Sequence, residues 1–245
     1  LALVLFLALL MMIEAGYRLT RRGAMTSAAA VTVGGVTGGV SLLMGLVLAF
    51  SFSNAGVRLD YHRSLAVMEA NAIATGWARI DLLAEPDQAP LRGLFRRYLD
   101  ARIRAHEALP KVKEYDALLM EGTALRQVIW ERMSAAVRAS PELGTLVIPP
   151  INAMADAAIN RKVAVHTHVT EMTIAFMIGL VLLGALLIGS SGAEKHGRLW
   201  PYRCIFAAMT AVAVSVIVDM EFPQTGFAGT RAADALLVEL RRSMG

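Results

Sequence analysis

Two apolar runs, Val31–Phe52 and Thr173–Gly189, are of the length a bilayer demands. Crossing the hydrocarbon core takes roughly 20 mostly apolar residues in helical form. Lipid offers backbone amides and carbonyls no water, so a spanning segment of this kind bonds them internally as a helix. Leu1–Ile13 begins the chain and Ile205–Val218 follows the second long run, so each shorter run pairs with a longer one. Between the pairs the chain is charged, from Arg58 to Lys162. Hydrophobic residues make up 56% of the chain and charged ones 18%, against about 25% in soluble domains. That average hides a polar part inside a membrane protein. The expected fold is all-α: an integral membrane protein with four transmembrane helices, two plus two, around an extramembrane helical bundle. The expected divisions are a transmembrane hairpin over 1–53, the helical domain over 54–169, a second hairpin over 170–222 and an amphipathic tail over 223–245.

Each segment carries punctuation. Leu1–Ile13 runs into Glu14, Tyr17, Arg18, Arg21 and Arg22, residues that anchor a span at the headgroup level. It has no basic leader and no small-residue cleavage site, so a span is expected here rather than a cleaved signal peptide. Gly23–Ala30 reads as a short connector, which makes the first two helices an antiparallel hairpin. No proline interrupts Arg58 to Leu83, so the second helix is expected to continue past the membrane, with Leu65, Met68, Ala72 and Ile73 as its apolar stripe. Glu85-Pro86-Asp87 ends it and starts the next helix, with Pro86 in the first turn and Asp87 suited to the helix dipole. In that helix Leu91, Leu94, Phe95, Leu99, Ile103 and Leu109 form one broad face. Arg92, Arg96, Arg97, Arg102 and Arg104 are expected largely on other faces, toward solvent or lipid headgroups, where they would attract anions. Pro110 closes it. Tyr115–Arg138 is a third helix with Leu118, Leu119, Leu125, Val128, Ile129 and Met133 inward. Pro149-Pro150 is expected to open a long helix running from Ile151 through Arg161 into the third span. Ser190–Tyr202 reads as a connector with Lys195 and Arg198, and Trp200 and Tyr202 mark an interface. Asp219–Phe222 extends the last span, Pro223 and Gly226 end it, and Arg231–Met244 is an amphipathic helix for the membrane surface or the bundle.

Few residues suggest chemistry. There is no phosphate loop, no HExxH and no nucleophile elbow, so no enzyme is expected. His166 and His168 lie two apart, which on a helix points them away from each other, and neither a metal nor a cofactor is expected. Cys204 is the only cysteine, so no intrachain disulfide forms. The net charge of +4 is of mixed origin and no nucleic-acid-binding motif accompanies it, so nucleic acid is not an expected partner. Gly34, Gly35, Gly38, Gly39 and Gly45 give the second span overlapping GxxxG pairs. Such a stripe lets another backbone approach closely, as intrachain packing, a subunit contact or a pore-lining face. Glu69, Asn71, Arg79, Asp81, Asp219 and Glu221 are the candidate ion or structural polar site. Glu69 and Arg79 stand about 80° apart around the helix and roughly 15 Å along it, so each is expected to bond another helix. Asp219 and Glu221 lie near membrane depth, where carboxylates are expensive, and Arg58 or Arg203 could meet them.

Three stretches together resemble a known family. They are Gly45–Ser53 (GLVLAFSFS) with Glu69–Ile73 (EANAI) and Arg79–Pro86 (RIDLLAEP); Leu94–Arg102 (LFRRYLDAR) with Ile148–Met154 (IPPINAM); and Val216–Pro223 (VIVDMEFP) followed by Gly226 and Phe227. Their order and spacing resemble the bacterial bestrophin-like (DUF4239) membrane family across nearly the whole chain. The resemblance implies kinship with bestrophins, pentameric anion channels with two spans, a large helical insertion, two more spans and a tail. A bestrophin pore implies a proline-flanked aromatic neck, and here the second span offers the glycine stripe instead. The function expected is an oligomeric anion channel in the cell (inner) membrane, with the lipid bilayer, further copies of itself and anions as partners. The alternative is a non-transporting scaffold or accessory subunit of a larger membrane complex. Lysine and arginine counts in the short connectors favour connectors inside and the helical domain outside, and the resemblance implies the reverse.

Overall fold

The computed structural model describes residues 1–22, 27–108, 111–166, 171–191, 196–221 and 231–245. Among them there is no strand. The helices are α1 (Ala2–Arg22), α2 (Ser27–Ala78), α3 (Glu85–Glu107), α4 (Val112–Ala139), α5 (Gly144–His166), α6 (Glu171–Ser190), α7 (His196–Glu221) and α8 (Arg231–Ser243). Short 3-10 turns at Arg79–Leu82 and Pro141–Leu143 precede α3 and α5. Four helices, α1, α2, α6 and α7, are long and apolar enough to cross a membrane. Pro110, His168, Lys195, Phe222, Pro223 and Gly226 lie outside the described residues, as does 23–26 of the first connector.

The chain divides into two compact units. The first is Leu1–Arg58 with Val169–Glu221. Its core is small and aliphatic: Leu5, Leu9 and Ile13 of α1 meet Met177, Val181 and Ala185 of α6 and Ala207, Ala211 and Val214 of α7. The backbones of α1 and α6 touch. A Cβ on Gly16 would overlap the carbonyl of Leu186, and one on Gly189 would overlap the carbonyl of Ile13. Only glycine fits where two helix backbones come this near. Arg203 is buried and donates to the carbonyls of Gly189 (3.4 Å) and Ser191 (3.3 Å) at the end of α6, satisfying acceptors a helix C-terminus leaves open. The outward faces carry Leu3, Leu7, Leu42, Phe176, Met209 and Val212, a belt too apolar for water and suited to acyl chains.

The second unit is Leu59–His168 with Phe222–Gly245. Ile73 and Ile80, Leu91, Phe95 and Leu99 of α3, Ile129 and Met133 of α4, and Val147, Ile151 and Met154 of α5 form its core. Gly76 lets the Phe95 ring lie against α2, 3.0 Å from where a Cβ would stand. The tail helix α8 docks on this unit: Leu237 and Met244 are buried in the same core, Arg241 pairs with Asp100 at 2.7 Å, and Arg96 donates to the Met244 carbonyl at 2.7 Å.

Several expected boundaries move. With 52 residues, α2 is about 78 Å long, against a hydrocarbon core of about 30 Å, and it starts inside the expected 23–30 connector. Trp200, Tyr202 and Arg203 belong to α7 rather than to a connector, and the helix holds Pro201 within it. Helix α5 opens at Gly144, not at Pro149-Pro150, and holds both prolines within it. Pro150 has no N–H to offer the Leu146 carbonyl one turn back, and the Arg79 guanidinium donates to that carbonyl instead. Val128 is 40% exposed rather than inward. Arg102 is buried rather than on a solvated face.

Candidate functional site

Four buried titratable residues, Glu69, Arg102, His106 and Arg161, lie in the second unit. Tyr98, Arg102 and His106 recur every four residues on α3, which places them in one row. That row faces the interior with Leu91, Phe95 and Leu99. Glu69 comes from the charged continuation of α2, Tyr115 from α4 and Arg161 from α5. Glu69 is 0% exposed and Arg102 2% exposed.

Glu69 is the hub. Arg102 donates through Nε to Glu69 Oε1, and Arg161 donates through Nη1 to Oε2 at 2.8 Å. Arg161 Nη2 lies 3.2 Å from His106 Nδ1. A guanidinium has only donors, so Nδ1 accepts and the neutral ring carries its proton on Nε2. That Nε2 faces Glu69 Oε2 at 3.6 Å, too far for a hydrogen bond.

Burial alone would raise the Glu69 carboxyl, but Arg102, His106 and Arg161 together outweigh it and hold it well below its usual range. Burial and the Arg161 charge push His106 down, so the ring is neutral at pH 7. Burial pushes the Tyr98 phenol up to about 12 and raises Tyr115 as well. Arg102 is raised, because Glu69 more than offsets the cost of its burial. The result is one buried carboxylate serving two buried guanidiniums, flanked by neutral histidine and phenols.

Of the residues expected from sequence, Glu69 alone enters this cluster. Asn71 and Arg79 line a groove of about 410 Å³ between α2 and α5, with Met68, Thr75 and Pro149. Arg79 bonds the α5 carbonyl described above, so Glu69 and Arg79 each bond another helix. Asp81 pairs with Arg92 near the surface. In the first unit Glu221 is buried and forms an ion pair with Arg58 at 3.1 Å, and Asp219 is half-buried near the end of α7. Gly34, Gly35, Gly38, Gly39 and Gly45 are exposed, and a Cβ on any of them would meet nothing among the described residues. His166 stands 3.6 Å from Asp116, and no group of three metal-ligating side chains occurs among the described residues. Sequence reasoning missed Tyr98, His106, Tyr115 and Arg161 and misplaced Arg102. The available signal was the four-residue repeat Tyr98, Arg102, His106 lying within the apolar stripe of α3.

An all-α membrane protein with two apolar helices, a helical insertion, two more apolar helices and a docked tail has close structural counterparts. A bacterial bestrophin homolog from Klebsiella pneumoniae, solved by zinc anomalous phasing, superposes with a TM-score of 0.70 at 13% identity, covering 99% of this chain and 95% of that one. Two single-substitution variants of a Klebsiella pneumoniae bestrophin homolog give TM-scores of 0.71 (12% identity; 99% and 95% covered) and 0.68 (12% identity; 97% and 99% covered). The fold is thus that of the bestrophin homologs. No curated protein sequence matches. The bestrophin-like domain model matches residues 2–234, and the chain belongs to the bestrophin-like family.

Proposed function

We propose that this membrane protein assembles with copies of itself and conducts small anions across the bacterial inner membrane. The observation that carries the reading is the open glycine face of α2. The first unit uses Gly16 and Gly189 where its own helices touch, yet a Cβ on Gly34, Gly35, Gly38, Gly39 or Gly45 would meet nothing among the described residues. Five glycines exposed along one apolar helix suit a second backbone or a narrow conduction path better than a lipid contact. Thr32, Thr37 and Ser41 add hydroxyls along the same helix without adding charge. Family membership supports the reading. The helical unit would then lie outside the membrane, with α2 leading into it.

The test is chloride and iodide flux into liposomes carrying the purified chain, with the mass measured in native detergent. Flux from a symmetric oligomer is the expected result. A well-folded protein without flux would overturn conduction, and co-purification within a foreign complex would mark it instead as an accessory subunit.

A further inference from the structure

The helical unit carries a groove between α4 and α5, away from the Glu69 cluster. Arg126 and Trp130 stand one turn apart on α4, and Asn152, Ala155 and Ile159 follow at steps of three and four on α5, so each set shares a helix face. With Gln127 and Ile151 they line a hollow of about 340 Å³, a size within the range of small-molecule sites. Ile151 belongs to the core of the unit. Ala155 adds little bulk between Asn152 and Ile159, which leaves the hollow open.

Two features set this groove apart. The first is Arg126. Arg79, Arg92, Arg96 and Arg241 are half-buried in the same unit, and each has a partner: the Leu146 carbonyl, Asp81, the Met244 carbonyl and Asp100. Arg126 is half-buried too, yet it makes no hydrogen bond or ion pair among the described residues. Holding a guanidinium partly out of water without an acceptor is costly, and a bound anionic group offsets that cost with charge-assisted hydrogen bonds. The second feature is the apolar wall. Trp130 is 36% exposed and Ile159 54%, and apolar surface in a concave, polar-rimmed place marks a ligand site. The Trp130 indole N–H and the Asn152 amide also lack partners among the described residues, and both can donate. Gln127 Nε2 donates along α4 to Glu131 at 3.0 Å, and no carboxylate lines the groove.

An inorganic anion would meet Arg126 and leave Trp130 and Ile159 in water. A neutral apolar molecule would cover those two and leave the guanidinium unmatched. A small organic acid does both. We propose that the groove binds a small organic carboxylate, with its carboxylate on Arg126 and its hydrocarbon body between Trp130 and Ile159. The site is separate from the open face of α2 and does not depend on conduction.

The experiment titrates the full chain in detergent with cyclohexanecarboxylate and, as the neutral counterpart, cyclohexanecarboxamide. Tryptophan emission should change saturably with the acid, and the change should vanish in Trp130→Phe. The amide should bind about tenfold more weakly, because it lacks the charge. Arg126→Gln should weaken the acid by a similar factor at an unchanged thermal midpoint, since Arg126 holds nothing in the fold. Crystals soaked in 4-bromobenzoate should show an anomalous bromine peak between Trp130 and Ile159, a measurement that needs no variant to fold. Equal affinity for acid and amide overturns the proposal, because the groove is then an apolar surface only. A peak elsewhere, or none, overturns it whatever the emission shows.

Discussion

At the scale of single residues, stability concentrates on Glu69. Glu69→Gln keeps the shape and removes the carboxylate that bonds both Arg102 and Arg161, so both buried ion pairs are broken. Breaking a buried pair in this way costs about 3–5 kcal/mol, and the loss should appear as a large fall in the thermal midpoint. The same cluster sets a pH dependence. Glu69 and His106 both have folded values below their unfolded ones, so on acidification the unfolded chain takes up protons the folded chain refuses. Stability is full above the His106 unfolded value of about 6.5 and falls as pH drops below it, first through histidine and at lower pH through the carboxyl. The groups facing His106 are Glu69 from α2, Arg102 from α3 and Arg161 from α5. Midpoints measured between pH 7.5 and 5 should decline, and His106→Gln should flatten that decline. Glu69 was legible in the sequence as a carboxylate needing a partner on another helix. Its partners were not, because an arginine on an amphipathic helix reads as solvated unless a carboxylate from elsewhere draws it inward, and only the tertiary fold brings one.

At the scale of elements, apolar runs and prolines located nearly every helix, since membrane length and the missing proline amide are written in the sequence. Starts were less legible. Pro149-Pro150 reads as the beginning of α5, and the helix starts earlier because Arg79 takes up the carbonyl that Pro150 leaves free. Whether a proline opens a helix or sits inside it depends on a side chain remote in sequence. The two sets of glycines make opposite predictions. Gly189→Val places methyls against the α1 backbone and should reduce folded yield and thermal stability of the purified chain. A side chain at Gly38 starts into open space among the described residues, so with Gly38→Leu the subunit should fold normally, and the effect should fall on oligomer mass or on anion flux. Normal mass and flux in Gly38→Leu would remove the open face of α2 from any functional role.

At the scale of the whole molecule, four apolar helices and a polar helical unit were legible from composition along the chain. The docking of α8 was not. An amphipathic helix fits a membrane surface and a protein groove equally well, and the choice falls to Leu237, to Asp100 beneath Arg241 and to Arg96 beneath the Met244 carbonyl. Reversing the charge with Asp100→Arg should loosen the tail. Protease digestion should then release it at enzyme levels that leave the unaltered chain whole.

The crossing of α1 and α6 has a consequence for genetics. At Gly76 the obstacle to a side chain is the Phe95 ring, and at Gly184 it is the Met44 sulfur, so a trimmed neighbour elsewhere in the chain could restore either variant. At Gly16 and Gly189 the nearest obstacles are backbone atoms, which no codon change can make smaller. A suppressor screen on Gly189→Ala should therefore return true revertants and little else, while the same screen on Gly76→Val should return substitutions at Phe95.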